Sequence, residues 1–350
     1  MIAGDDIVRT RAEAGDREPL LVVEPLVAFL DAHGLGEGEP AFEAIGDGHS
    51  NVTFAVTRSG RELVVRRPPR GPLPPSAHDV LREARVLRAL AGRVPVPEVL
   101  AVCEDPSVIG APFYVMPRIG GVVMNAAPAP ELAGYERATG EAMIDALVEL
   151  HAVDWRGAGL EGFGRPDGYL ERQLARFGGL WERNRTRELP AMERVGAWLA
   201  AHRPASPPAT VVHGDFRLGN LMYAPAPPPR VVALLDWEMS TIGDPLADLG
   251  YLCTFWIDRD DPPAGAFEQH AFTRQPGWPV RDELVARYEE RSGRSAAAIA
   301  YYRVLALWKV IVFMEGNYRR ALAGSVDDPY LHTFGEAIAG LAERAEALTR

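Results

Sequence analysis

The chain has 350 residues and 38.2 kDa, is 47% hydrophobic and 24% charged, and can therefore bury the core of one large domain or two modest lobes, which excludes a disordered tail or a fibre. With 37 Lys plus Arg against 48 Asp plus Glu, the formal charge is −11 and the pI near 5.3, which argues against a nucleic-acid partner. Two cysteines without CxxC spacing give neither a disulfide framework nor a zinc knuckle, and no apolar run nears the roughly 18 residues of a membrane span, so the expectation is a cytoplasmic protein with no membrane partner.

Residues 1–19 are polar and read as loose, and LLVVEPLVAFLDAHGLG reads as a short packing helix stopped by Gly34 and Gly36. From Phe42 to Arg67 the runs FEAIG, VTFAVTR and ELVVRR, separated by GDGHSN and SG, predict an antiparallel meander. Ser76 with Asp79 three residues on has the spacing of a capping box and predicts a helix to about Leu90. PFYVMPRIGG is a further strand running into a glycine pair, where the chain is expected to divide into an N-lobe over 1–117 and a C-lobe over 118–350. The C-lobe is helical in pattern except for one β-like island, TVVHGDFRLGNLMY and VVALLDWE around the breaker APAPPPR. The expected class is α+β, with a small β-rich part and a larger helical part.

The island carries the chemistry. Asp215 opens a loop after an apolar strand, Asn220 closes it, and Asp236 ends the next apolar strand. One carboxylate and one amide oxygen on Mg²⁺, with a separate carboxylate free to act as base, suit phosphoryl transfer. The order also reproduces a kinase catalytic loop: an Asp that orients the hydroxyl, an Asn five residues later on the metal, and a metal-binding Asp one hairpin on. The alternative is that the three are Asx caps of turns. The histidines show no HExxH or HxxxH spacing, so a zinc enzyme is not supported.

HGDFRLGN followed by LLDWEMSTIGDPLADLGYL resembles the aminoglycoside phosphotransferase and choline kinase-like family of small-molecule kinases. The likeness runs from IGDGHSNVTFAV through RPPRGPLPPSAHDVLREARVLRAL and PFYVMPRIGG, and looks closest to the branch related to the kinase-like domain fused to acyl-CoA dehydrogenases. It implies a bilobal protein-kinase-like fold, with ATP and Mg²⁺ as cofactors, a nucleotide-binding N-lobe and a C-lobe that holds a small-molecule alcohol. Asp215 is then catalytic, and Asn220 and Asp236 hold the metal. The loop GDGHSN supplies Ser50 and Asn51 to the nucleotide, and Tyr114 to Ile119 is a hinge with Met116 and Arg118 as contacts.

The resemblance also implies a basic residue on the third strand paired with a helix carboxylate, here Glu83 on the apolar stripe of the helix ending near Leu90. Of the 37 Lys plus Arg residues only Lys309 is a lysine, so the strand offers Arg66 or Arg67 instead. Alternation sets Val64 and Arg66 on one face and Leu63, Val65 and Arg67 on the other, and the resemblance, which implies a small apolar residue beside the basic one on the face over the nucleotide, selects Arg66. A solvated basic edge is the alternative.

Arg217 and Glu238 are candidates for the substrate side, as is Lys309. That lysine lies on an apolar helix face, where it either snorkels at a core margin or lines a pocket. Residues 118–350 hold 25 basic against 31 acidic side chains, too small an excess for a polycationic antibiotic, so a hydroxy-metabolite or hydroxyacyl compound is the expected acceptor. The missing strand lysine keeps a non-catalytic nucleotide-binding module as the rival reading. Oligomeric state is not legible in the sequence.

Overall fold

The computed structural model describes residues 6–15, 17–45, 51–71, 78–263, 269–325 and 328–350. The chain divides into two compact units, Met1–Gly120 with Leu235–Glu238, and Gly121–Leu234 with Met239–Arg350. The break therefore follows Gly120, and Leu235–Glu238, expected in the C-lobe, group with the first unit.

In the first unit, β1 (Ile7–Val8) pairs in parallel with β2 (Leu21–Val22), which leads directly into α1 (Val23–Ala32). Residues 6–15 and 17–19 are thus more structured than their polarity suggests. Asp6, 1% exposed, accepts an ion pair from Arg70 at 2.6 Å, and Ile7 packs on the core. The strands β3 (Ala41–Ile45), β4 (Val52–Arg58), β5 (Arg61–Arg67), β6 (Ala101–Cys103) and β7 (Phe113–Pro117) form one antiparallel sheet in the order β3-β4-β5-β7-β6. The predicted meander is its first three strands. One face, carrying Phe54, Leu63, Val65 and Val115, packs against Leu26 and Leu30 of α1.

Arg67 points to that covered face, where its hydrogen-bond donors are met by carbonyls, the Leu20 and Ile109 oxygens accepting at 2.6 and 2.9 Å. Arg66 points the other way, as alternation requires. Helix α2 (Val80–Leu90) is capped by Asp79, which accepts from the Arg82 backbone N–H at 2.9 Å. Ser76, the other half of the expected capping box, lies outside the described residues. The apolar positions Val80, Ala84 and Leu87 bury the stripe on which Glu83 sits.

In the second unit, β8 (Val122–Val123), β9 (Thr210–Val212), β10 (Leu221–Tyr223), β11 (Val231–Leu234) and β12 (Thr241–Gly243) form two small sheets, β11-β10-β8 and β12-β9. Around them lie α3 (Glu136–Ala152), α4 (Tyr169–Asn184), α5 (Pro190–Ala201), α6 (Leu246–Phe255), α7 (Arg281–Ser292), α8 (Ile299–Leu322) and α9 (Pro329–Ala347). Helix α8 is apolar nearly all round because it is the centre of the packing, in contact with α4, α5, α6 and α9. Among the described residues no helix is long and apolar enough to cross a membrane. Cys103 and Cys253 are both free and buried.

His270 is 1% exposed in this unit, and burial together with the nearby Arg217 cation pushes its imidazole down to about 3. With the folded value below the ordinary 6.5, the unfolded chain takes the proton first as pH falls, so stability is lost between about pH 6.5 and 3. At one pKa unit per 1.36 kcal/mol, that cost is about 3 kcal/mol by pH 4. Denaturant titrations at pH 7 and pH 4 should show wild type losing about that much more than His270→Phe; equal losses would contradict the assignment.

Candidate active site

Two clusters of candidate site side chains lie one in each unit. In the first, the register aligns Thr53, Arg66 and Tyr114 across β4, β5 and β7. The Arg66 fork spans this row and beyond. Its Nε donates to Glu83 Oε2 at 2.9 Å, its Nη1 to Thr53 Oγ1 at 3.3 Å, and its Nη2 to Asp236 Oδ1 at 2.7 Å. The same Glu83 carboxylate, 2% exposed, also accepts from Asn51 Nδ2 and the Trp237 backbone N–H, each at 3.2 Å, and from the Tyr114 phenol. A buried carboxylate with this many donors is held in one orientation.

Burial disfavours the Arg66 cation, but the facing Glu83 carboxylate, with Asp236 beyond it, outweighs burial and holds the guanidinium above its ordinary value. Burial and the Glu83 charge push the Tyr114 phenol up, so it stays a donor. Asp236 adopts the left-handed region at φ 63°, which aspartate tolerates better than most residues and which turns the chain directly after β11.

In the second unit, β9 delivers His213, Gly214 and Asp215, and a short 3-10 turn at Leu218–Asn220 closes the loop. The loop backbone is pinned from α6, where the two oxygens of Asp248 accept from the His213 and Gly214 N–H groups at 2.7 Å each. Asp248 is itself met by His151 of α3 at 3.3 Å, whose other ring nitrogen lies 2.8 Å from the Tyr288 hydroxyl of α7. Position 214 needs glycine: φ is +89°, and a Cβ would sit 2.6 Å from the Met239 carbonyl oxygen. His213 braces the turn, its Nδ1 accepting from the Asp215 N–H at 3.3 Å.

The Asp215 carboxylate is oriented from both sides. Asn220 Nδ2 donates to its Oδ2 and to its main-chain oxygen at 2.7 Å each, and Arg217 Nε donates to Oδ1 at 3.2 Å. Since the Asn220 nitrogen is spent on Asp215, its Oδ1 is the atom left for a cation. Among the described residues no three His, Cys, Asp or Glu side chains form a metal cage. Asn220 in the second unit offers an amide oxygen and Asp236 in the first a carboxylate, each a hard oxygen donor of the kind Mg²⁺ takes.

The sequence model of the phosphotransferase enzyme family matches residues 41–284. The chain belongs to that family. It is 36% identical over 327 residues to mouse acyl-CoA dehydrogenase family member 10, covering 91% of this chain and 30% of that protein. To human acyl-CoA dehydrogenase family member 11 it is 33% identical over 337 residues, covering 93% and 43%. The chain thus spans less than half the length of these relatives.

Among solved structures, a Ralstonia eutropha protein named for the aminoglycoside phosphotransferases superposes with a TM-score of 0.79 at 30% identity, over 93% of this chain and 97% of that one. A thermostable mutant of aminoglycoside phosphotransferase APH(4)-Ia, in ternary complex with AMP-PNP and hygromycin B, shares the fold at a TM-score of 0.60 and 15% identity, over 93% and 98%. The fold is therefore the bilobal kinase-like α+β fold of phosphotransferases.

Elsewhere in the chain the other expected residues fall as follows. Ser50 lies outside the described residues, and Asn51 reaches the Glu83 cluster, with its Oδ1 buried and unpartnered among the described residues. Met116 pairs with Val64 on the sheet. Arg118 faces Glu62 at 3.4 Å and Glu43 at 3.7 Å at the sheet surface. Glu238 groups with the first unit, 3.5 Å from His78. Arg217 sits beside Asp215, and Lys309 is buried in the second unit. Tyr114 was named in the sequence only as the start of the hinge, and Thr53 and His151 were not singled out at all. Strand register alone would have exposed the first two, because both lie opposite Arg66.

Proposed function

We propose that the chain is an ATP-dependent, Mg²⁺-requiring phosphotransferase that moves the γ-phosphate to a hydroxyl of a small molecule. The observation that carries this reading is the braced loop. Asp215 is presented with both oxygens oriented by Asn220 and Arg217, on a backbone that Asp248 holds through two N–H groups. Such a carboxylate can accept the proton of an acceptor hydroxyl and aim its oxygen in line, which is most of what a loose phosphoryl-transfer transition state asks of a protein. Arg66, fixed by Glu83, offers its fork to phosphate oxygens, a task for which its bidentate geometry is competent. Asn220 and Asp236 would hold Mg²⁺. When bound, ATP·Mg²⁺ supplies the phosphoryl group and the charge neutralisation. Ser50, Asn51, Met116 and Arg118 are proposed along the nucleotide, and Arg217 and Glu238 toward the acceptor.

A non-catalytic module was the rival because the strand lysine is missing. The Arg66 fork meets both Glu83 and Asp236, so the substitution keeps the cationic link, which supports an active enzyme. The relatives named as acyl-CoA dehydrogenases and the near-balanced charge of residues 118–350 support a hydroxy-metabolite or hydroxyacyl acceptor over an antibiotic. Calorimetry with ATP should give saturable binding that strengthens with Mg²⁺ and weakens at least tenfold in Arg66→Ala. No binding at millimolar ATP would refute a nucleotide-dependent transferase and favour a metal-dependent phosphohydrolase.

A further inference from the structure

Lys309, the only lysine of the chain, is buried in α8 at 9% exposure, where every other cationic position of the protein uses arginine. Its Nζ lies over the Phe177 ring, 4.8 Å from the centroid, and among the described residues it makes no ion pair or hydrogen bond to the protein. The charges that face it are already engaged. Asp248 of α6 accepts from the His213 and Gly214 N–H groups and meets His151, while Asp215 is held by Asn220 and Arg217. Arg176 of α4 adds a like charge, and Tyr169, Tyr251 and Tyr302 complete the surround. Burial pushes the amine down to about 8, with Asp248 and Asp215 opposing the shift and Arg176 adding to it.

A buried ammonium without its own counter-ion is costly, and an anionic ligand would supply the missing charge. The place is specific. Lys309 lines a cavity of about 10 Å³ whose wall includes Gly214, the residue immediately before Asp215. That volume holds about one water-sized atom, so what enters is a single oxygen and not a ring. A lysine suits such a spot because its ammonium is a compact point charge on a flexible stem, where an arginine fork would need a wider opening.

We propose that Lys309 binds an anionic oxygen of the acceptor, a carboxylate or phosphate group, so that the acceptor is a hydroxyl compound carrying its own negative charge. The proposal rests on the phosphotransferase reading and names the acceptor class for the same site. Anion and hydroxyl then belong to one small molecule, the anion on Lys309 and the hydroxyl on Asp215. Neutral and cationic alcohols lose that contact.

A single lysine makes the test direct, because protein grown with lysine carrying ¹³C at Cε shows one lysine signal. Its titration is followed from pH 6 to 10 alone, then with 3-hydroxybutyrate, its methyl ester, glycerol 3-phosphate and propane-1,2-diol. The free protein should titrate near pH 8, and at least one of the two anions should raise the midpoint by half a unit or more, while ester and diol leave it unmoved. Movement by 3-hydroxybutyrate marks a carboxylate acceptor, and movement by glycerol 3-phosphate a phosphate-bearing one. Lys309→Met, similar in shape, should bind the active anion at least tenfold more weakly. No movement with either anion, an equal movement with the ester, or unchanged anion affinity in Lys309→Met would overturn the proposal. The lysine signal reports anion contact whether or not phosphate is transferred, so failure here is separable from failure of the phosphotransferase reading.

Discussion

Asp215→Asn is expected to lower turnover by on the order of 10²–10⁴, the range that a positioned acid–base group contributes, while ATP affinity stays within about twofold of wild type. The asparagine keeps the size of the side chain and one oxygen for Asn220 or Arg217, but it cannot take a proton from the acceptor. Both carboxylate oxygens of Asp215 have partners, so an amide nitrogen in either place meets a donor and the side chain loses its fixed aim. The Arg217–Asp215 pair is about one-fifth exposed on each side, so the cost to stability should be modest, about 1 kcal/mol. Steady-state kinetics with folding checked by denaturant melts separate the two effects. A turnover within tenfold of wild type would show that Asp215 does not handle the proton.

The largest stability effect should come from Arg66→Ala. Removing the guanidinium leaves Glu83 buried without a cation and Asp236 without its 2.7 Å partner, and breaking a buried pair in this way costs about 3–5 kcal/mol. Arg66→Lys should recover part of that. An ammonium can meet Glu83 or Asp236 but cannot bridge both as the fork does, so nucleotide affinity should recover less than stability. Chemical denaturation of the three proteins reads the ordering directly. An Arg66→Ala variant within 0.5 kcal/mol of wild type would mean that the cluster carries no net interaction.

That Arg66 and Arg67 face opposite sides of the sheet was legible because strand alternation decides it without any long-range contact. The ordering of the N-terminal segment was not, because it depends on contacts remote in sequence: Asp6 with Arg70, and Arg67 with the Leu20 carbonyl. Leu235–Glu238 grouped with the first unit for a similar reason, since the Trp237 N–H and the Asp236 carboxylate are claimed by Glu83 and Arg66, which lie more than 150 residues earlier. Periodicity could not choose between a snorkelling and a pocket-lining Lys309, because α8 is apolar nearly all round and its few exposed positions do not mark out one face.

Where the γ-phosphate goes is the most direct test of phosphoryl transfer by this chain. Wild-type protein with ATP, Mg²⁺ and a panel of hydroxy acids and hydroxyacyl compounds can be followed by ³¹P NMR. The expected result is a new phosphomonoester signal on one class of acceptor, growing in step with ADP and absent with Asp215→Asn. Release of inorganic phosphate with no ester, or bound ATP that stays intact across the whole panel, would contradict it.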